Sequence, residues 1–233
     1  MTPTGLPFAV QHFDLDQCQA GVGRRLPHWS QPGAICFITW RTADSMPVAL
    51  LRKLGAERDA WREAHPVASP AQKRRSDRAG WERALDRGMG SCPLRDPELA
   101  ALVGDALRHF DDDRYILSDF VVMPNHVHVL AAFQDGESMR RQCESWKRFT
   151  AVAINRRLGR TGRFWQPESF DHLTRTDEQF VRQRQYIADN PARACLGRGE
   201  FLHLSRDTPG FGAAAVPSLP LAERAGYITE HES

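Results

Sequence analysis

The chain has 233 residues, of which 41% are hydrophobic and 26% charged, so it can build a hydrophobic core and is not a disordered polyelectrolyte. The formal net charge of +2 excludes a uniformly basic protein, and no apolar run reaches the roughly 18 residues of a membrane helix. The five cysteines are scattered without a C-x-x-C pair, which disfavours a disulfide framework or a cysteine zinc site and fits a cytoplasmic protein.

The first third of the chain is predicted to hold one strand and several helices. Residues 1–33 are rich in Pro, Gly and polar side chains and are predicted to be an N-terminal extension. Ala34–Arg41 is β-branched and aromatic, which predicts a strand. Helical patterns follow over residues 48–63, 73–87 and 97–110.

A β-hairpin is predicted next. Its strands are residues 114–122 and 127–133, and Pro124 between them cannot donate to a strand ladder. A long helix follows over residues 138–158. The side chains of this helix that share one predicted buried face are Met139, Cys143, Trp146, Phe149, Ala153 and Ile154.

The remaining elements are a strand over residues 164–173 and a helix over residues 176–190. From residue 197 to 233 the chain is rich in Gly, Ala and Pro and is predicted to be a peripheral C-terminal tail. This order of elements predicts an α+β fold, with helices packed on one face of an antiparallel sheet.

Two histidines in the hairpin carry the strongest chemical signal. On a strand, alternate side chains share a face, so His126 and His128 point one way while Val127 and Val129 point the other. Two neutral imidazoles on a rigid strand can bind one divalent ion and leave coordination positions open for a substrate. The alternative is a pair of structural histidines.

Tyr186 lies in the helix that follows, among polar neighbours that include Arg182 and Arg184. A phenol can act as a nucleophile if a metal or nearby cations activate it, and otherwise it packs at the edge of the core. Asn190 lies one helical turn later on the same face. Its amide oxygen could complete a metal site, although Pro191 disfavours helical geometry at Asn190 and Asn-Pro is a common turn signal.

Four segments, taken in order, resemble the HUH single-tyrosine transposase superfamily, and within it the REP-associated tyrosine transposases. The segments are Val121–Leu130 (VVMPNHVHVL), Ser145–Thr150 (SWKRFT), Phe164–Asp171 (FWQPESFD) and Tyr186–Ala194 (YIADNPARA). Each motif alone is weak, but four in this order are specific. The resemblance identifies residues 34–196 as the catalytic domain and implies a ferredoxin-like sheet.

The resemblance also implies an activity. His126 and His128 would bind Mg2+ or Mn2+, and Tyr186 would attack a DNA phosphodiester to give a 5′-phosphotyrosine and a free 3′-OH. Asn190 occupies the position of a polar third ligand, which is often Gln in related transposases. The substrate would be single-stranded DNA with short hairpins of the REP or BIME type, bound by a nucleoid-associated protein without a membrane partner. A monomer is favoured over the shared-site dimer of better-known single-tyrosine transposases.

The second half of the chain is locally basic. Residues 140–206 contain 14 Lys or Arg and 7 Asp or Glu, which is typical of a nucleic-acid-binding face, although Arg-rich helices can also simply be solvated. Trp165 could stack on an unpaired base or belong to the core. The predicted DNA-binding residues are Lys147, Arg148, Arg156, Arg157, Arg160, Arg163 and Trp165.

Three other functions compete with this interpretation. A histidine-triad nucleotide hydrolase needs a third alternating histidine, but that position is Leu130. A rolling-circle initiator or relaxase often carries its tyrosine before the histidine pair or carries two, whereas Tyr186 follows the pair and stands alone. The third alternative is a DNA-hairpin-binding protein that descends from a transposase and has lost its chemistry.

Overall fold

The computed structural model describes residues 8–14, 31–206, 211 and 227–228. Within this part of the chain, six strands form one sheet in the order β4-β1-β3-β2-β5-β6. The strands are β1 (Ala34–Arg41), β2 (Tyr115–Val122), β3 (His126–Phe133), β4 (Phe170–Leu173), β5 (Leu202–Ser205) and β6 (Tyr227–Ile228). All neighbours are antiparallel except β5 and β6, which run parallel.

Five α-helices accompany the sheet in the described residues. They are α1 (Val48–Ala64), α2 (Pro70–Asp86), α3 (Pro97–Arg108), α4 (Gly136–Arg157) and α5 (Asp177–Arg193). Side chains cap four of them: Ser69 begins α2 with a capping box, and Asp96, Asp135 and Thr176 accept backbone N–H groups of α3, α4 and α5. The Thr176 cap confirms the predicted helix start.

The central topology is the ferredoxin-like arrangement. The chain runs from β1 through a helical crossover to β2, turns directly into β3, and returns through α4 to β4. Because β3 lies between β1 and β2, and β4 pairs with the other edge of β1, this is a split β-α-β unit repeated once. The predicted α+β class with an antiparallel sheet is confirmed.

The helices cover both faces of this sheet, so the prediction of helices on one face is wrong. Helices α3 and α4 pack on the face that carries Val127 and Val129. Phe180 and Ile187 of α5 pack on the opposite face. That face of β1 and β3 is itself apolar and requires cover; its side chains include Ile35, Phe37, Leu130 and Ala132. The four apolar positions lie between the two histidines and the far end of the strands.

The last described part of the chain extends the sheet beyond residue 196. Strand β5 pairs with β2, and its residue Leu202 lies against α3 at Gly104. A Cβ added to Gly104 would lie 2.5 Å from Leu202 Cδ2, so a larger residue here would force the Leu202 side chain to move. The boundaries at residues 33/34 and 196/197 stay predictions, but residues 202–205 are an integral part of the sheet.

Two further details differ from the predicted elements. The strand expected over residues 164–173 is limited to β4, because Trp165 forms only an isolated bridge with Thr42 before the chain reaches the sheet edge. Helix α5 continues through Pro191 to Arg193 instead of ending at residue 190. None of the helices in the described ranges is long and apolar enough to cross a membrane.

Candidate active site

The two histidines begin β3 and face α5. His126 is aligned with Arg41 of β1 and His128 with Thr39. Their ring centroids are 4.8 Å apart with an interplanar angle of 80°, and each residue is 1% exposed. The alternation of side chains along β3 therefore brings both imidazoles to one point beneath α5, as the sequence predicts.

Hydrogen bonds fix the tautomer of His126. Its Nδ1 lies 2.8 Å from the side-chain carbonyl oxygen of Asn125, and because that oxygen can only accept, Nδ1 carries the proton. The lone pair is then on Nε2, which is buried and has no hydrogen-bond partner among the described residues. Burial lowers the pKa of His126 to about 3, partly offset by the Asn190 side chain, so the ring stays neutral near pH 7.

His128 is held in the same tautomer. The amide nitrogen of Asn190 lies 3.4 Å from Nε2 and can only donate, so Nε2 accepts. The proton is therefore on Nδ1, which lies 2.7 Å from Oγ1 of Thr39. A metal-binding histidine has the same Nδ1–H donor to the protein, but here the Nε2 lone pair that would face an ion accepts from the Asn190 amide at 3.4 Å, a long contact that an ion would have to displace.

Asn190 completes a set of three possible ligands. It is fully buried, and its Oδ1 has no hydrogen-bond partner among the described residues. It lies within α5 although Pro191 follows, because a proline in the last turn removes only one helical hydrogen bond, and the Asn190 carbonyl still accepts from Ala194 N. The expectation that Pro191 disfavours helical geometry at Asn190 is thus wrong.

The three side chains fit a divalent cation. Two imidazole Nε2 atoms and one amide oxygen converge, and two of these three atoms are buried polar groups that the protein leaves without partners. Within residues 8–14, 31–206, 211 and 227–228, no group of three His, Cys, Asp or Glu side chains forms a metal site. The candidate third ligand is therefore the neutral amide, which leaves the charge of a bound ion to be matched by a substrate.

Tyr186 lies one turn before Asn190 and contacts His128. Its ring meets His128 edge to face at 5.3 Å between centroids, and Phe37 at 5.8 Å. Burial raises its pKa well above 10, and the carboxylates of Glu82 and Asp86 raise it further, whereas Arg193 and Asn190 oppose the shift. The phenol is therefore protonated at rest and requires activation before it can act as a nucleophile.

The arginine that contacts Tyr186 is not one of those that the sequence singled out. Arg182 is exposed, and Arg184 turns inward but forms a buried ion pair with Asp119, 2.9 Å away. Instead, the guanidinium of Arg193 lies 4.9 Å from the centre of the Tyr186 ring. The spacing of seven residues, two helical turns on the same face, was the available signal.

The predicted DNA-binding cations fall into two groups. Those held by other residues are Lys147, Arg157 and Arg160: the Lys147 ammonium donates to Pro167 O and Ser169 Oγ, Arg157 pairs with Glu98, and Arg160 donates to Asn155. Exposed and without a hydrogen bond or ion pair to any described residue are Arg148, Arg156 and Arg163. Arg148 and Arg163 line a groove of about 530 Å³ between α4 and residues 162–167.

Trp165 and Phe149 differ from their predicted burial in opposite directions. Trp165 is only 5% exposed, its indole N–H donates to Thr150, and its ring packs edge to face on Trp40, so it is a core residue and not a surface for base stacking. Phe149, predicted on the buried face of α4, is 60% exposed. Like Arg148 and Arg156, it is exposed on the outward side of the helix.

Comparisons with known proteins add one distant structural likeness to these observations. No protein-family model and no curated protein matches the chain. The chain is similar to a solved structure of a REP-associated tyrosine transposase bound to a REP hairpin, with 16% sequence identity and a TM-score of 0.37 over 74% of this chain and 73% of that one. A likeness of this degree assigns no function, and the chemistry is inferred from the residues of the site.

Proposed function

We propose that this chain is a metal-dependent single-stranded DNA endonuclease and strand transferase, a tyrosine transposase that acts at REP-type hairpins. The observation that supports this most strongly is the convergence of His126, His128 and Asn190 beside Tyr186. Two of the candidate ligand atoms, His126 Nε2 and Asn190 Oδ1, are buried and have no hydrogen-bond partner among the described residues. The motif order of the REP-associated transposases runs through the same residues. We propose that it acts as a monomer, in the cytoplasm, on nucleoid DNA.

The proposed reaction needs only one covalent step in each direction. The oxygen of Tyr186 attacks a DNA phosphorus, the bond to the 3′ oxygen breaks, the phenol loses its proton and the 3′ oxygen gains one. The products are a 5′-phosphotyrosine and a 3′-OH, and attack by a 3′-OH reverses the step without an external energy source. Mg2+ or Mn2+ bound by His126, His128 and Asn190 would act as a Lewis acid on the phosphate.

The remaining parts of the chain would hold the DNA. Arg148, Arg156 and Arg163 are exposed cations on and beside α4 and can contact backbone phosphates. Phe149 is the exposed aromatic beside them and can stack on an unpaired base in the role first expected for Trp165.

The test is covalent capture of labelled single-stranded DNA that carries host REP hairpins, with Mg2+ or Mn2+, on a denaturing protein gel. The wild-type protein should form an adduct labelled on the 5′-phosphate side, and Tyr186→Phe should form none. Tyr115→Phe is the matched control, because Tyr115 is buried in β2 with its hydroxyl bonded to Leu107 O and should keep the adduct. An adduct that survives in Tyr186→Phe would refute the proposal.

A second candidate is a hairpin-binding protein without cleavage activity. The observation that favours it is the environment of Tyr186: burial, and then the charges of Glu82 and Asp86, raise its pKa and oppose formation of the phenolate. Tight hairpin binding by the wild type, without an adduct under any divalent metal, would support this candidate and exclude the first.

A further inference from the structure

Arg193 lies over the ring of Tyr186 and contacts an aspartate from another helix. Arg193 occupies the last turn of α5, and its guanidinium lies 4.9 Å from the ring centre. Its Nη2 lies 3.4 Å from Oδ2 of Asp86, which ends α2. The two residues come from segments that are 107 positions apart, so this contact is formed only by the tertiary fold.

The contact between them is loose. Charge-assisted N–H···O bonds are usually about 2.7–2.9 Å long, whereas this one is 3.4 Å. Oδ1 of Asp86 is buried without a hydrogen-bond partner among the described residues, and a planar guanidinium has five donors to offer. The Arg193 side chain is 42% exposed while that of Asp86 is 12% exposed. The arginine can therefore turn toward a ligand that the aspartate cannot reach.

Resting on the proposed function, we propose that Arg193 binds the phosphate of the DNA strand beside Tyr186, and that Asp86 occupies the guanidinium until DNA displaces it. A DNA phosphate offers the same anionic oxygens as the carboxylate and suits the fork geometry of arginine better. Arg193 thus becomes a substrate-binding residue of the site. Asp86 is a positioning residue that competes with the substrate for it.

This assigns a role to the long crossover between β1 and β2. A ferredoxin-like core needs one helix in that crossover, and α3 provides it. Helices α1 and α2 are additional, and the end of α2 brings Asp86 and the nearby Glu82 toward the tyrosine. Their negative charge opposes the approach of DNA, so α2 sets how tightly the strand is held next to the nucleophile.

Binding experiments in the Tyr186→Phe background test this without depending on cleavage. Hairpin oligonucleotides are prepared with a single neutral methylphosphonate at each successive position of the flanking strand, and the Kd of each is measured. We expect one position at which neutralisation weakens binding about tenfold and at which Arg193→Ala erases that penalty. Arg193→Lys, which keeps the charge but not the fork, should restore part of it. Identical penalty profiles with and without Arg193 would overturn the proposal.

Asp86→Asn supplies a test of opposite sign. Removal of the competing carboxylate should tighten the binding of unmodified DNA about threefold, whereas Arg193→Ala should weaken it. Weaker binding in both variants would mean that the pair is only structural and would overturn the role of Asp86. Covalent capture by the wild type decides the proposed function separately, since the methylphosphonate profiles require no nucleophile.

Discussion

The Nδ1 atom of His128 lies 2.7 Å from the hydroxyl oxygen of Thr39, its partner across the β1–β3 ladder. This bond orients the ring and leaves Nε2 toward Asn190. Thr39→Val preserves the shape of the side chain but removes the acceptor. We expect it to weaken Mn2+ binding about 10–100-fold, as is typical when the second partner of a ligating histidine is lost. Isothermal titration with Mn2+ measures this directly.

The matched control is Thr150→Val. Thr150 is buried, whereas Thr39 is partly buried, and Thr150 lies on α4 and accepts from the indole of Trp165. Its substitution should lower stability while leaving the affinity for Mn2+ unchanged. Equal affinity in wild type and Thr39→Val would contradict the role of the Thr39 hydrogen bond in orienting His128 for metal binding.

Acid should destabilise the protein through two buried histidines. Burial lowers the pKa of both His126 and His203 from 6.5 to about 3. Between pH 6.5 and about pH 3 the unfolded chain binds more protons than the folded one. The contribution of these histidines to the free energy of unfolding is therefore full above about pH 6.5 and is lost as the pH drops toward 3. The loss is on the order of several kcal/mol at its largest. Urea unfolding without metal, between pH 4 and 7, should show it.

His203→Gln removes one of these groups and should flatten the dependence of stability on pH over the same range. The control is His65→Gln, because His65 is exposed at the end of α1 and should leave the curve unchanged. A pH profile in His203→Gln as steep as that of the wild type would contradict the prediction.

Breaking the buried ion pair between Arg184 and Asp119 should lower the free energy of unfolding strongly. The two side chains are 3% and 1% exposed, and Ser205 donates to the same carboxylate. Asp119→Ala leaves the buried guanidinium without its carboxylate partner, which typically costs about 3–5 kcal/mol. The comparison is Glu98→Ala, which breaks the exposed pair with Arg157 and should change the free energy of unfolding by less than about 1 kcal/mol. Equal losses in chemical unfolding would refute the distinction.

Trp165 and Phe149 should differ in the same way. Trp165→Ala creates a cavity beside Trp40 and should lower the free energy of unfolding by about 3–5 kcal/mol, whereas Phe149→Ala on the outer side of α4 should change it by less than about 0.5 kcal/mol. DNA affinity should follow the opposite order, with the larger loss in Phe149→Ala. A large loss of stability in Phe149→Ala would show that Phe149 packs in the core and contradict this prediction.

The sequence predicted the histidine face correctly because strand alternation is a local property that needs no knowledge of the fold. The order of elements was also readable, since each helix and strand carries its own periodicity and caps. The cover of the second sheet face was not, because α5 could pack on either side until the burial of Phe37 and Leu130 on the histidine side was known. The position of Asn190 beside His128 depends on that choice.

The aromatic residues show the limit of helical periodicity. Trp146 and Phe149 are three residues apart and both fit an apolar stripe, but α4 is buried only along the side that meets the sheet and α3. Phe149 lies just beyond that contact. The role of Arg193 was equally hidden, because the aspartate that meets it comes from α2 rather than from its own motif.

The residues of the site are far apart along the chain. Thr39 and His128 are 89 positions apart, and Asn190 follows His128 by another 62. Because synthesis runs from the N-terminus, His126 and His128 are made before Tyr186 and Asn190. An incomplete chain thus holds the two imidazoles but no nucleophile. The candidate ligands and the tyrosine therefore come together only in chains that have docked α5 on the sheet.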